Sequence, residues 1–148
     1  MLALCFAFML SLAGPAFAQD KGTADEAVAM AKKAAAAIKA DREKAFAAIN
    51  DKNNADYHLK DLYVFVGPKA GGPLLAHGVN PALIGKDLEE LKDVDGKLFV
   101  AEMRKLANEK GQGWVDYKWS NPVTKKIEQK SSYVDTANDV WIGVGIYK

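Results

Sequence analysis

The run Val140-Trp141-Ile142-Gly143-Val144-Gly145-Ile146-Tyr147 constrains this chain most. It is apolar on both faces of any strand it forms, so it belongs at the centre of a sheet that is covered on each side. Gly143 and Gly145 alternate with large residues and leave one face of that strand bare, where a helix or a ligand can come close. Two runs ahead of it supply neighbours. Trp114 to Trp119 puts Val115, Tyr117 and Trp119 on one face, with Trp114, Asp116 and Lys118 on the other. After a turn opened by Ser120-Asn121-Pro122, Ile127 to Val134 reads as its return strand, and Asp135 to Asp139 as the next turn. Upstream, Leu62-Tyr63-Val64-Phe65-Val66, a turn through Gly67 to Gly72 and a return at Pro73 to His77 form a further hairpin.

Thr23 and Glu26 form a T-x-x-E capping box, and no Gly or Pro interrupts Ala24 to Asn50. Val28, Ala31, Ala35, Ile38, Ala45, Phe46 and Ile49 give this stretch an apolar stripe at helical spacing. One helix over it would be about 40 Å long, more than one small sheet needs, so part of it meets another subunit or protrudes. Its twelve alanines suit a homodimer through close helix approach, or equally packing on the domain's own sheet. Asn80-Pro81 opens an irregular stretch with short helical pieces that include Leu88 and Leu91. A second amphipathic helix follows Asp95-Gly96, with Phe99, Val100, Met103, Leu106 and Ala107 on one side, Asp95 as N-cap and Gly111 as its stop. The pattern predicts an α+β domain: a five-stranded antiparallel sheet, a long N-terminal helix, and helices between the second and third strands.

Residues 1–18, MLALCFAFMLSLAGPAFA, hold 15 apolar residues and no charge, and Ala16-Phe17-Ala18 fits a small-x-small cleavage site. That predicts a secretory signal peptide, although no Lys or Arg precedes the apolar run. Residues 19–148 then form the mature domain, with a 24–50 helix and a 57–148 sheet region, and export without disulfides suits a periplasm. The whole chain has 20 basic and 19 acidic residues, which argues against a nucleic-acid partner. Its one cysteine, Cys5, lies in the leader, and its two histidines, His58 and His77, are too few for most catalytic metal centres. Asp93-x-Asp95-Gly96 fits a calcium loop poorly, because Leu91 falls at the first ligand position. No nucleophile elbow and no phosphate loop appears. The reading is of a protein that is not an enzyme and carries no cofactor or metal.

The runs Leu62-Tyr63-Val64-Phe65, Ala76-His77-Gly78, Asn80-Pro81 with Ile84-Gly85-Lys86, and Asp93 to Lys97 are followed by Gly113 to Trp119 with Asn121-Pro122. Then come Lys130-Ser131-Ser132-Tyr133-Val134 and Gly145-Ile146-Tyr147. In this order and spacing, residues 24–148 resemble single Cache domains of the second type. The resemblance implies a PAS-like sheet beside a long N-terminal helix, and an extracytoplasmic sensor of small molecules, often short organic acids. With the sequence ending at Lys148, the likeness is to a stand-alone secreted form. The alternative function is an interaction protein with a vestigial pocket that docks on a membrane sensor or transporter through the long helix.

The resemblance also places a pocket on the sheet under the segment between the second and third strands, with His77, Tyr117, Trp119 and Lys130 at its polar or aromatic positions. Tyr63 and Tyr133 are further candidates. Strand geometry supports convergence: if Trp119 pairs with Glu128, Tyr117 pairs with Lys130, and opposed residues share a face. Lys130 would meet a carboxylate by charge, Tyr117 by its hydroxyl and His77 by a ring N–H, with Trp119 as an apolar wall. Glu128 is the rival partner for Lys130. Many chemoreceptors of this kind carry an arginine shortly before the histidine, where this chain has Pro73-Leu74-Leu75-Ala76.

Overall fold

The computed structural model describes residues 20–148, so the leader and its cleavage site lie outside the described residues. The strands are β1 (His58–Leu59), β2 (Leu62–Pro68), β3 (Ala76–His77), β4 (Gly113–Ser120), β5 (Ile127–Ala137) and β6 (Val140–Tyr147). They form one antiparallel sheet in the order β1-β2-β6-β5-β4, with β3 also paired to β2. The doubly apolar β6 lies in the interior, between β2 and β5, as its composition requires. Six strands replace the expected five because the two-residue β1 pairs with the start of β2. The segment expected between the second and third strands therefore falls between β3 and β4.

The expected single helix over 24–50 is two helices, α1 (Ala24–Ala40) and α2 (Arg42–Asn50). Asp41 breaks it. Its backbone is extended, with φ −158° and ψ 98°, and its N–H closes α1 on the Ala37 carbonyl while its carboxylate accepts the Lys44 N–H to start α2. An aspartate competes with the helix for backbone partners, and here that local bond turns the chain back toward the sheet. The Thr23–Glu26 capping box is present. Ala27, Ala31, Ala34, Ala35 and Ala45 are buried in a core with Leu62, Val64, Val66, Ile142 and Val144. These small side chains bring α1 close to its own sheet. Ala29, Ala36 and Ala40 remain exposed.

The opposite face of the same strands holds Tyr63 and Phe65 of β2, Val115 and Tyr117 of β4, Val134 of β5, and Trp141 and Tyr147 of β6. It is covered by α3 (Phe99–Lys110) and by the strap at residues 79–98. The bare patch at Gly143 and Gly145 is filled by strand neighbours rather than by a helix. A Cβ at Gly143 would lie 2.4 Å from the Phe65 ring, and one at Gly145 would lie 2.2 Å from Lys130 Cε and 2.4 Å from Ser132 Oγ.

Asp95 does not cap α3. The N-cap is Leu98, with no side-chain bond, while Gly111 ends the helix in the left-handed region at φ 78° as expected. The carboxylate that organises this turn is Asp93. Its Oδ1 accepts the N–H groups of Asp95 (3.0 Å) and Lys97 (2.9 Å), and its Oδ2 accepts Lys118 N–H of β4 (2.9 Å). The bonds from Lys118 and then Lys97 hold its pKa below the ordinary carboxylate value. These backbone bonds give the Asp93-x-Asp95-Gly96 pattern a role in shaping the turn before α3. Glu89 ties the strap to α3 through a two-point pair with Arg104, at 2.6 and 3.1 Å. Among the described residues no helix is long and apolar enough to cross a membrane, and no cluster of three or more metal-ligating side chains occurs.

Candidate functional site

The sheet face under the strap encloses a cavity. Tyr63, Phe65, Tyr117 and Trp141 form its floor, His77 and Trp119 its sides, and Leu83, Leu88 and Leu91 of the strap its roof, with Phe99 and Val100 of α3 closing one end. Its volume is about 20 Å³, near the minimum for one water molecule. An organic ligand therefore enters only if the strap or the wall side chains move outward.

The predicted register is present: Trp119 stands opposite Glu128 and Tyr117 opposite Lys130. A residue pair one position out of step would have sent Lys130 to the helix side. Instead Lys130 is fully buried on the cavity side of the sheet. Glu128 is not its partner; that carboxylate accepts from Thr124 Oγ1 at 2.6 Å and Asn121 Nδ2 at 3.5 Å. Lys130 Nζ donates to Tyr63 Oη at 2.8 Å. Around it lie the rings of Tyr63, Tyr147, Phe65 and Tyr117, with centroids at 4.1, 4.8, 5.4 and 5.8 Å. Ring faces attract a cation at such distances, by up to about 2 kcal/mol each when desolvated, but they do not replace a counter-ion. Burial drives the Lys130 pKa well below the ordinary lysine value, and the charge of Asp61 opposes this only in part.

Lys130 does not itself line the cavity; it stands one hydroxyl behind the wall, at Tyr63. The hydrogen bonds run in one direction: Lys130 donates to Tyr63, Tyr63 to Tyr147 at 3.3 Å, and Tyr147 to the Ser120 carbonyl at 2.7 Å. Tyr147 must be the acceptor from Tyr63 because its own proton is committed to that carbonyl. Tyr117 Oη pairs with Ser132 Oγ at 2.9 Å, and its ring stacks on Phe99 with centroids 4.4 Å apart and planes 6° apart. Burial raises the Tyr63 and Tyr117 pKa values well above the ordinary phenol, so both are neutral donors.

His77 is held at the cavity edge by β3. Its backbone N–H donates to Asn50 Oδ1 at 2.9 Å, and its Nδ1 accepts from Val79 N–H at 3.2 Å and Asn80 N–H at 2.9 Å. With Nδ1 accepting twice, the proton of the neutral ring sits on Nε2. Burial is the main cause that pushes the His77 pKa down to about 3. The ring lies 5.0 Å from Tyr63 and 6.0 Å from Phe65. A neutral imidazole offers one donor to a ligand.

Five of the six sequence-derived candidates thus gather at or just behind one cavity: His77, Tyr63, Tyr117, Trp119 and Lys130. Tyr133 does not. It stands opposite Trp114 in β4, packs in the helix-side core, and donates to Gln112 Oε1 at 3.0 Å. It is three residues from Lys130 on one strand, and odd spacing puts the two on opposite faces. Tyr147 belongs to the site and was missed, although it stands opposite Lys130 in β6. The turn expected at Asp135 to Asp139 would have put Val144 opposite Lys130; the observed turn is tighter, with Ala137 opposite Val140, and that shift brings Tyr147 to the site.

An antiparallel sheet with α1 and α2 on one face, and α3 and a strapped cavity on the other, is the arrangement of PAS-like Cache sensor domains. The chain belongs to the Single Cache domain 2 family, whose model matches residues 17–148. It is similar to the crystal structure of a methyl-accepting chemotaxis protein from Vibrio parahaemolyticus, with 26% identity, a TM-score of 0.70, and coverage of 83% of this chain and 86% of that one. It is also similar to a structure described as the structural basis for carboxylic acid recognition by a Cache chemosensory domain, with 25% identity, a TM-score of 0.65, and coverage of 83% and 86%. Among curated proteins, the methyl-accepting chemotaxis protein McpP of Pseudomonas putida is 34% identical over 85 residues. That match takes in 55% of this chain and only 15% of the receptor's length. These relatives are chemotaxis receptors and a chemosensory domain.

Proposed function

We propose that residues 19–148 form a non-enzymatic, periplasmic module that binds a short organic acid, released by cleavage after Ala18. The observation that supports this best is Lys130: a fully buried amine, one hydroxyl from the cavity, that takes part in none of the ion pairs among the described residues. An ammonium buried without a counter-ion is costly, and a ligand carboxylate beside Tyr63 and Tyr117 would supply that counter-ion. The apolar roof and Trp119 suit a short hydrocarbon tail.

Binding to acetate, propionate, pyruvate and larger acids tests this by thermal shift and calorimetry. A ligand at a hundredfold excess over Kd stabilises by about 2.7 kcal/mol. Lys130→Met should weaken binding by roughly 1.5–3 kcal/mol, the usual range for a hydrogen bond to a charged group, without lowering the melting temperature of the unliganded protein. If no acid raises the melting temperature, the organic-acid reading fails. The cavity's small volume would then favour the second reading, a vestigial pocket in a protein that docks on a membrane sensor or transporter. Dimerisation through the outer face of α1, at Ala29, Ala36 and Ala40, belongs to either reading and is measured by light scattering.

A further inference from the structure

We propose that this site takes up its anion together with a proton, Lys130 being a neutral amine in the unliganded protein and an ammonium in the complex. The inference rests on the organic-acid reading and adds a chemical requirement to it.

The geometry carries the argument. Every polar group facing Lys130 is neutral: Tyr63 from β2, His77 from β3, Tyr117 from β4, Tyr147 from β6, and Ser132 on its own strand. None of the strap residues over the cavity is charged; Leu83, Leu88 and Leu91 are the ones that roof it. The acid with most influence on Lys130 is Asp61, which is itself buried and engaged by the Gly22 N–H at 2.7 Å. Among the described residues the amine has one hydrogen-bond partner, Tyr63 Oη, out of the three that an ammonium can satisfy. A neutral amine tolerates that poverty of acceptors, and an ammonium does not. Gly145 makes room for the buried lysine, since its missing side chain is the space that Lys130 Cε occupies.

An anion at the Tyr63 hydroxyl would stand within the roughly 4–6 Å over which an opposite charge strongly favours the protonated amine. Binding then draws one proton from solvent onto Nζ. No other group at the site does this: His77 stays neutral through the double hydrogen bond to Nδ1, and the tyrosines already carry their protons. The ligand is recognised as an anion plus a proton, so its affinity falls as pH rises, by up to tenfold per pH unit between the unliganded and liganded pKa values of Lys130.

Two measurements on the intact mature protein test this. The first is an NMR titration of lysine Cε and Nζ without ligand. Lys130 should lose its proton far below the surface lysines; if it titrates with them, the proposal is overturned whatever binds. The second is calorimetric titration with sodium propionate and sodium acetate, near neutral pH, in three buffers of different ionisation enthalpy. The apparent enthalpy should vary linearly with buffer enthalpy, with a slope approaching one proton taken up per anion. Lys130→Met should abolish that slope, and His77→Asn should retain it. Binding with zero slope in the unaltered protein overturns the proton coupling and leaves the organic-acid reading standing. No binding of either acid, nor of larger ones, removes both.

Discussion

The two faces of the sheet are built from alternate residues of the same strands, yet they are packed on different terms. On the α1 side, Leu62, Val64, Val66, Ile142 and Val144 meet alanines. Most side chains there are aliphatic or small, with Met30, Tyr57 and Tyr133 as the larger members, and close approach fills the layer. On the strap side, Tyr63, Phe65, Tyr117, Trp141 and Tyr147 meet leucines and a buried lysine, and polar groups are satisfied through a chain of hydroxyls. One face spends its residues on holding the fold. The other keeps ionisable and hydrogen-bonding groups out of water, which costs stability and creates a site.

Acid should separate the faces most. His77 has its pKa near 3 when folded and 6.5 as the ordinary value. Between those values the unfolded chain binds a proton that the folded one does not, so stability is complete above about pH 6.5 and falls as pH drops toward 3. The slope is about 1.4 kcal/mol per pH unit from this residue. His77→Asn preserves an acceptor for the Val79 and Asn80 N–H groups and should flatten that limb in urea melts across pH. An unchanged limb would show that His77 does not carry the acid sensitivity of the strap face. Next in size, Ile142→Ala should cost about 2–5 kcal/mol by opening a void on the helix side. Because β6 turns that side chain away from the cavity, acid affinity measured on the folded fraction should not change. A parallel loss of affinity would mean that the faces are coupled through the sheet. The smallest effect is expected for Gly145→Ala, which overpacks against Lys130 and Ser132 and should cost about 1–3 kcal/mol. Here affinity should fall as well, since the lysine is displaced; a stability loss without an affinity loss would detach Lys130 from the site.

The legibility of the two faces also differs. Strand alternation has a period of two, so Tyr117 opposite Lys130 followed from one assumed pair, and the central place of β6 followed from its two apolar faces. The same parity puts Tyr133, offered as a further candidate, opposite Trp114 on the other side. What sequence could not show was set by single side chains competing for backbone groups. Asp41 broke a run with no Gly or Pro, and Asp93 rather than Asp95 organised the turn before α3. Both choices depend on which nearby N–H points at the carboxylate, a property of the folded loop. The roofing of the cavity by Leu83, Leu88 and Leu91 was hidden for a related reason. The strap is irregular, so no periodicity marks its inward side.

The strap's anchor at Asp93 has one more consequence. β4 lies at the end of the sheet order, and its outer backbone is met by the strap: Asp93 takes the Lys118 N–H, and Lys97 Nζ donates to the Asp116 carbonyl. These contacts shield an eight-residue edge strand from pairing with another chain. A cavity of about 20 Å³ admits nothing larger than water unless the roof or walls shift. Any movement that lifts the strap at this anchor also bares hydrogen-bonding groups on the sheet's margin. Admission of a ligand by that route and exposure of an adhesive strand edge would then be one event, and the strength of the Asp93 clasp would govern both the entry rate and the chain's tendency to self-associate.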